Sequence, residues 1–282
     1  MRLQQWIKNL FLFAALVFSG HLFNVHDVLL TVAGFFTFCV LSSAVYLFND
    51  VIDVESDRIH PVKSKRPLPS GKISPETAIM AASGLAIVSL VAGFLLHRGF
   101  GIVLATYLAL NVSYSLKLKN IVILDVMSIA GGFVLRVVAG AVLIHVPTSE
   151  WLIICTILMS LFLGFSKRRT ELISLEEQAN PHRSVLAQYS PRFLDQMIGI
   201  VTASTVMSYA LYTISEETVR KFGTQNLIYT VPFVLYGIFR YLYLVDKKAE
   251  GGDPTKTILT DIPLLINVVL WVVAVSLIIY RS

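Results

Sequence analysis

The sequence predicts an all-α polytopic membrane protein with about nine transmembrane helices. Of its 282 residues, 55% are hydrophobic and only 15% are charged, whereas soluble domains carry about a quarter of charged residues. Apolar runs long enough to cross a bilayer recur along the whole chain. No gap between them is long enough for a second domain, so residues 1–282 are predicted to form a single transmembrane domain.

Each predicted span is an apolar run of near-bilayer length, because a hydrocarbon core of about 30 Å needs roughly 20 helical residues. The nine runs lie at about 7–24, 28–48, 76–96, 99–115, 122–143, 150–166, 194–214, 226–245 and 261–280. The first run has a basic start and an apolar middle, as secretory signals do. It has no well-placed small-x-small cleavage site, so it is predicted to be a retained first helix.

The distribution of Lys and Arg predicts the orientation. Seventeen of the 23 Lys and Arg residues fall at the N-terminus and in the loops 49–75, 116–121, 167–193 and 246–260, and four fall in the opposite loops. Cytoplasmic loops carry such an excess, so the N-terminus and these loops are predicted to be cytoplasmic. The net charge of +5 sits in short gaps between apolar runs, which is the membrane pattern and argues against nucleic-acid binding.

A cluster of acidic residues follows the second span, in the stretch NDVIDVESD. Spacings of three and four place Asp50, Asp53 and Asp57 on one helical face, with Asn49 one turn from Asp53. Three like charges near a helix C-terminus need a compensating cation, and an oxygen-only ligand set suits Mg²⁺. The alternative is a solvated turn whose acids balance nearby Lys and Arg, but ionisable residues at membrane depth are functional candidates.

Basic residues surround this cluster in the predicted topology. Lys63 and Arg66 follow it in a proline-rich loop and are predicted to bind phosphate, although any one of them could serve the positive-inside pattern alone. Other candidates reach the same side from the N-terminal helix and from the ends of the fourth and sixth spans. They are Lys8, Tyr114, Lys119, Lys167 and Arg168.

The fifth predicted span contains an arginine. Arg136 follows Asp125 by three turns on the same face and lies roughly 16 Å deeper at 1.5 Å per residue. An unpartnered arginine in a membrane is costly, so Arg136 is predicted to face a polar cavity or an anion. The alternative is a structural contact with a carboxylate or a backbone carbonyl.

These motifs resemble those of a known family. NDVIDVESD matches the NDxxDxxxD motif of the UbiA superfamily of intramembrane prenyltransferases, and the resemblance covers essentially the whole chain in span count and motif placement. It implies a UbiA-like bundle of nine helices that uses Mg²⁺ to hold a diphosphate. The second acidic motif of most members, DxxxD after the sixth span, is absent, and SKRRTEL stands there instead.

One branch of the superfamily is more similar than the others. The segments LQQWIKNLFLFA, NDVIDVESDRIHPVKSKRPLPSG, YSLKLKNIVILDV, GGFVLRVVAGA and GFSKRRTEL resemble, in order, those of decaprenyl-phosphate phosphoribosyltransferases. The resemblance implies transfer of 5-phosphoribose from phosphoribosyl diphosphate (PRPP) to a polyprenyl phosphate, with release of diphosphate, for cell-envelope glycan precursors. It also implies an integral protein of a bacterial or archaeal plasma membrane.

The resemblance also suggests roles for the candidate residues. Asp50, Asp53 and either Asn49 or Asp57 would hold Mg²⁺ on the PRPP diphosphate, and Lys63 and Arg66 would support the departing diphosphate. The remaining basic and polar candidates, including Arg136, would serve the 5-phosphate and the lipid phosphate without further division.

Two other functions fit parts of the same pattern. A true prenyltransferase, moving a polyprenyl group to an aromatic or other acceptor, shares the acidic motif and the fold, but the missing second DxxxD argues against it. A non-enzymatic lipid-binding or transport protein also fits nine spans. A transporter, however, should show polar residues near mid-bilayer and interrupted spans, whereas here the polar residues gather on one side.

Overall fold

A computed structural model describes residues 3–59, 63–178, 185–248 and 254–281. Within these residues the chain forms helices joined by turns and contains no strand, so the all-α prediction is confirmed. The α-helices are α1 (Phe13–Phe18), α2 (Val25–Ile52), α3 (Val54–Arg58), α4 (Pro75–Leu96), α5 (Arg98–Leu116), α6 (Leu124–Leu143), α7 (Glu150–Gln178), α8 (Pro191–Ile214), α9 (Glu216–Phe222), α10 (Val231–Lys248), α11 (Pro254–Thr260) and α12 (Ile262–Arg281). Short 3₁₀ helices occupy Leu3–Leu12, Lys63–Lys65, Leu118–Asn120, Leu186–Gln188 and Asn226–Thr230.

Eight described helices are long and apolar enough to cross a membrane, and they coincide with the second to ninth predicted spans. The first predicted span, 7–24, is shorter than expected. Its apolar helical segment is Gln5–Phe18, because the helix ends before Gly20, whose φ of 84° lies in the left-handed region. The described residues therefore contain eight full spans and one short apolar helix, where the sequence predicts nine spans.

Two of the spanning helices begin with the same Ser-Pro signal. The hydroxyl of Ser74 accepts a hydrogen bond from the amide of Thr77 at 3.2 Å at the start of α4. Ser190 does the same for Phe193 at 3.2 Å at the start of α8. In each case the proline that follows occupies the first helical turn, where its missing N–H costs nothing. The sequence therefore sets the starts of both helices locally.

The chain divides into two compact units, one formed mainly by Met1–Pro147 and the other by Thr148–Pro181 and Val185–Ser282. The prediction of a single domain over residues 1–282 stays a prediction. In the first unit, α2 packs against α4, α4 against α5, and α5 against α6. The N-terminal segment, which comprises the 3₁₀ helix Leu3–Leu12 and α1, lies on α6. The core shared by this segment, α2, α5 and α6 is apolar and buried. It includes Leu12, Phe38, Phe100, Leu104 and Leu143.

The N-terminal segment approaches α6 closely at a glycine. A Cβ atom at Gly140 would overlap the backbone carbonyl of Leu12. Only glycine therefore permits this contact, as at the close helix crossings of membrane proteins.

In the second unit, α7 packs against α8 and α10 packs against α12. Polar groups within this unit are paired across helices. The guanidinium of Arg240 donates to both carboxylate oxygens of Asp261, at 3.1 and 2.8 Å. The hydroxyl of Tyr209 lies 2.7 Å from that of Thr230 and accepts from the indole of Trp271 at 2.9 Å.

Candidate active site

The acidic cluster lies where α2 gives way to α3. Asp53 separates the two helices, but the amide of Asp53 still donates to the carbonyl of Asn49 at 3.0 Å, and the amide of Asp57 donates to that of Asp53 at 2.8 Å. The i to i−4 pattern therefore continues through the junction. As a result, Asp50, Asp53 and Asp57 stay on one face, as the spacing predicts.

One arginine bridges two of these carboxylates. The Nη1 atom of Arg66 lies 2.6 Å from Oδ2 of Asp57 and 3.4 Å from Oδ1 of Asp50. The Asp57 side chain is only 4% exposed, whereas that of Arg66 is 32% exposed. The proline-rich loop after α3 therefore returns its arginine to the acidic face, where it balances two carboxylates as in the alternative that the sequence leaves open. The Mg²⁺ site stays a prediction.

A lysine from the loop between α5 and α6 reaches the third carboxylate. The Nζ atom of Lys119 lies 2.5 Å from Oδ1 of Asp53. The side-chain amide nitrogen of Asn49 donates to Oδ2 of the same carboxylate at 3.1 Å. The hydroxyl of Ser115 donates to the side-chain oxygen Oδ1 of Asn49 at 3.0 Å. The end of α5 is thus joined to the end of α2 by a polar network.

The backbone just before α6 is strained. Ile123 has a φ of 70°, which is unfavourable for a β-branched residue. Its position follows the 3₁₀ turn Leu118–Asn120, which carries Lys119. Strained backbone of this kind persists only where the surrounding packing imposes it, and it concentrates at functional sites.

The acidic cluster suits a hard divalent cation. Asp50, Asp53 and Asp57 offer carboxylate oxygens and Asn49 offers an amide oxygen, which are ligands that Mg²⁺ prefers. The same oxygens already attract the cationic groups of Arg66 and Lys119. Among the described residues, no three His, Cys, Asp or Glu side chains converge tightly enough to hold a metal alone. Mg²⁺ commonly binds through one or two carboxylates together with substrate phosphates and water, and such a site needs no closer convergence.

Arg136 lies in the interior of the first unit and is 4% exposed. Its guanidinium donates to the Asn9 side-chain carbonyl at 2.8 Å, to the backbone carbonyl of Gly132 at 2.7 Å and to the Tyr107 hydroxyl at 2.9 Å. It also lies 4.9 Å from the ring centre of Tyr107 and 5.3 Å from that of Phe38. These are structural contacts, which the sequence leaves open beside phosphate binding, and the phosphate role of Arg136 stays a prediction.

The other predicted residues of the first unit lie on elements that the structure describes in part. Lys8 is half-buried on the 3₁₀ helix Leu3–Leu12, and Tyr114 is half-buried in the last turn of α5. The backbone of Lys63 begins the 3₁₀ helix Lys63–Lys65, but its side chain lies outside the described residues. The phosphate-binding roles of these three residues stay predictions.

The two predicted residues of the second unit share a carboxylate near the end of α7. The Arg168 guanidinium lies 2.5 Å from one oxygen of Glu171, and the Lys167 ammonium lies 3.8 Å from the other. The Arg168 side chain is 1% exposed, so its charge is compensated within the protein. The next residue, Arg169, contacts Asp195 at 2.5 Å and Asp246 at 3.6 Å.

Some partners in these networks have no signal in the sequence. Ser115 and Tyr107 look like ordinary residues of a span, and Asn9 is recognisable only as a polar residue inside an apolar run. The contacts of Ser115 and Asn9 join positions 66 and 127 residues apart. Helical periodicity places residues on a face of one helix, but it does not say which helix that face meets.

The chain matches a family of known proteins over most of its length. Residues 10–262 match the model of the UbiA prenyltransferase family. The decaprenyl-phosphate phosphoribosyltransferase of Mycolicibacterium smegmatis is 32% identical, and the alignment covers 100% of this chain and 92% of that protein. The protein of the same name from Mycobacterium tuberculosis strain H37Rv is 29% identical, with 98% of this chain and 91% of that protein covered.

Solved structures share the fold. A UbiA homolog from Archaeoglobus fulgidus bound to DMAPP and Mg²⁺ superimposes with a TM-score of 0.74 at 17% identity, covering 100% of this chain and 97% of the other. The same homolog bound to GPP and Mg²⁺ gives a TM-score of 0.73 at 18% identity, covering 100% and 98%. At this identity the likeness establishes the fold.

Proposed function

Because the chain belongs to the UbiA prenyltransferase family, we propose that it transfers the 5-phosphoribosyl group of PRPP to a polyprenyl phosphate of the decaprenyl type and releases diphosphate. The observation that carries the proposal is the identity of about 30% with decaprenyl-phosphate phosphoribosyltransferases along the whole chain. The chain is an integral membrane protein. This location suits an enzyme that acts on a polyprenyl lipid, because the lipid lies in the membrane.

The charge pattern supports a substrate with several anionic groups. A phosphoribosyl transfer brings together the diphosphate, the 5-phosphate and the lipid phosphate. One acidic motif, at Asp50–Asp57, is available for a metal, while Lys167 and Arg168 stand where most family members carry a second acidic motif. Lysine and arginine bind phosphate oxygens directly, so the exchange of acid for base favours the more anionic substrate set.

Asp50 and Asp53, together with Asn49 or Asp57, would hold Mg²⁺ at the diphosphate. When bound, the ion would neutralise the charge that develops on the departing diphosphate. Arg66 lies against two of these carboxylates and Lys119 against the third. Both cations are therefore within reach of a diphosphate held at the acidic face.

The reaction needs no general base. The bond between the anomeric carbon and the diphosphate oxygen breaks, and a lipid phosphate oxygen forms the new bond to the same carbon. A phosphate monoester carries ionised oxygens near neutral pH, so the nucleophile requires no deprotonation. The protein's task is to hold two anionic substrates together and to stabilise the leaving group.

The proposed site faces the cytoplasm. The excess of Lys and Arg in the loops on the side of the acidic cluster supports this orientation. PRPP is a water-soluble donor, and such a site would receive it from the cytoplasm while the lipid enters from the bilayer. We place the protein in a bacterial or archaeal plasma membrane, where the product would supply cell-envelope glycan synthesis.

The decisive experiment measures whether the ribose of PRPP is transferred to the lipid. Purified full-length protein is incubated with Mg²⁺, polyprenyl phosphate and PRPP labelled in the ribose, and the lipid is extracted. Label is expected in the lipid fraction, with one diphosphate released for each ribose transferred. Consumption of a polyprenyl diphosphate with an aromatic acceptor, while the ribose label stays in the aqueous phase, would show a prenyltransferase instead. No turnover of either substrate would favour a binding or transport protein.

A further inference from the structure

We propose that Arg66 and Lys119 act as exchangeable counter-ions: they balance two of the three negative charges of the acidic cluster before substrate binds and move onto the diphosphate when Mg²⁺ takes their place. The inference rests on the phosphoribosyl transfer proposed above and deepens it, because it assigns each cation two successive partners. It concerns the carboxylates of Asp50, Asp53 and Asp57 and the two cations that contact them.

The first observation is that the expected metal ligands are occupied by protein cations. Arg66 contacts Asp57 at 2.6 Å and Asp50 at 3.4 Å, and Lys119 contacts Asp53 at 2.5 Å. Every carboxylate of the motif therefore has a cationic partner. A metal ion that binds these oxygens must displace the two cations or share the carboxylates with them.

The second observation is that these pairs are shielded from water. The side chains of Lys119 and Asp53 are 12% and 24% exposed, and that of Asp57 is 4% exposed. Salt screens partly buried pairs much less than exposed ones, so the contacts persist at physiological ionic strength. Removing one member of a buried pair leaves an uncompensated charge, which is unfavourable. The displaced cations therefore need another anion.

The diphosphate supplies that anion. Its oxygens arrive with the metal at the carboxylates, and the cations are already adjacent to those carboxylates. After exchange, the carboxylates face Mg²⁺ and the cations face phosphate oxygens, so no charge is left alone in either state. Metal alone must compete with the two ion pairs, whereas metal and diphosphate together satisfy every group. Binding of the two ligands is therefore cooperative, and the coupling is reciprocal.

The exchange predicts opposite effects of one substitution on two ligands. Lys119→Gln and Arg66→Gln remove a competitor for the carboxylates and also a partner for the diphosphate. In detergent-solubilised full-length protein without substrate, either variant should bind Mn²⁺ about three- to tenfold more tightly than the wild type. Electron paramagnetic resonance of Mn²⁺ measures this affinity. The same variants should bind PRPP in the presence of Mg²⁺ about tenfold more weakly, measured by calorimetry.

Arg58→Gln provides the matched control. This substitution removes one positive charge next to the cluster, as the two test substitutions do. Arg58, however, pairs with Glu55 at 2.8 Å, and both side chains are exposed. It should change neither affinity by more than about twofold, because exposed charges are well screened. Melting temperatures establish that each variant is folded. Lys119→Gln keeps the test available if Arg66→Gln does not fold, since Asp53 is more exposed than Asp57.

The remaining outcomes separate the two proposals. Weaker or unchanged Mn²⁺ binding in the folded variants would overturn the exchange, while lipid labelling by the wild type would leave phosphoribosyl transfer intact. An equal tightening of Mn²⁺ binding by Arg58→Gln would also overturn it, because the effect would then be general electrostatics. Failure of the wild type to bind PRPP with Mg²⁺ would instead remove the proposed function on which the exchange rests.

Discussion

Three deeply buried charged residues differ in how the protein compensates them. Asp57 pairs with Arg66 at 2.6 Å, and Arg168 pairs with Glu171 at 2.5 Å. Arg136 has only neutral hydrogen-bond partners among the described residues. An oppositely charged side chain compensates Asp57 and another compensates Arg168, whereas neutral hydrogen-bond acceptors and aromatic rings stabilise the guanidinium of Arg136. The three sites should therefore respond differently to substitution.

Asp50→Asn tests the acidic cluster. It keeps the size of the side chain but removes a charged ligand, so we expect turnover of PRPP to fall by about a hundredfold or more. The measurement is the rate of ribose transfer to lipid under saturating substrates. Glu55→Gln is the control, since Glu55 is 80% exposed and its loss should leave the rate within about twofold. Unchanged turnover of Asp50→Asn would make the cluster a simple turn.

Arg136→Met tests the buried network. It leaves the oxygen of Asn9 and the hydroxyl of Tyr107 without their donor, so we expect the free energy of unfolding to fall by about 1–3 kcal/mol. The measurement is thermal unfolding in detergent. In the double variant Arg136→Met with Asn9→Leu, the free energy of unfolding should fall by less than the sum of the two single losses. Both substitutions break the same 2.8 Å contact. Strict additivity would show that the contact contributes nothing.

At the scale of elements, the N-terminal segment is held against α2 and α6 by several specific contacts. The indole of Trp6 donates to the Ser43 hydroxyl at 3.1 Å. The side-chain amide of Asn9 donates to the Ser42 hydroxyl at 3.1 Å. On the other side, the segment approaches Gly140 of α6. The short helix therefore docks through polar pairs and close backbone packing as well as apolar burial.

Gly140→Ala tests this docking. The new methyl group would overlap the carbonyl of Leu12, so we expect a loss of about 1–3 kcal/mol in the free energy of unfolding. Gly84→Ala is the control, because a Cβ there meets nothing within 4 Å. Within α4 it should be neutral or stabilise by about 0.5–1 kcal/mol, since alanine favours a helix over glycine. Equal effects of the two substitutions in denaturation curves would contradict the close approach.

At the scale of the whole molecule, the charge asymmetry of the loops predicts the orientation in the membrane. Ser70 lies in the loop that follows the acidic cluster, and Phe23 lies just before α2, at the opposite end of that helix. Both positions are exposed. They can therefore report the two sides of the membrane.

The test is cysteine labelling with a membrane-impermeant maleimide. Ser70→Cys should react in inverted membrane vesicles and stay unlabelled in intact cells, whereas Phe23→Cys should show the opposite pattern. The native Cys39 is buried and Cys155 is partly buried, so the wild type provides the background. Labelling of Ser70→Cys from outside intact cells would reverse the predicted orientation.

The sequence predicts some levels of this structure better than others. Long apolar runs locate eight helices, and a spacing of three and four places Asp50, Asp53 and Asp57 on one face, because both signals are local. It overestimates the first span, since the left-handed backbone at Gly20 ends the helix early. It does not reveal that Arg136 meets Asn9, because that contact joins residues 127 positions apart and depends on how separate helices pack.

The contact between Lys119 and Asp53 has a consequence for how such proteins diverge. It ties together two positions 66 residues apart, so a substitution at either position also changes the charge balance at the other. Loss of the carboxylate alone leaves the ammonium of Lys119 without this partner, and loss of the lysine alone leaves an excess of negative charge at the acidic cluster. Replacing one pair by another, one residue at a time, therefore passes through a protein with an unbalanced charge at the acidic cluster, which a buried site tolerates poorly.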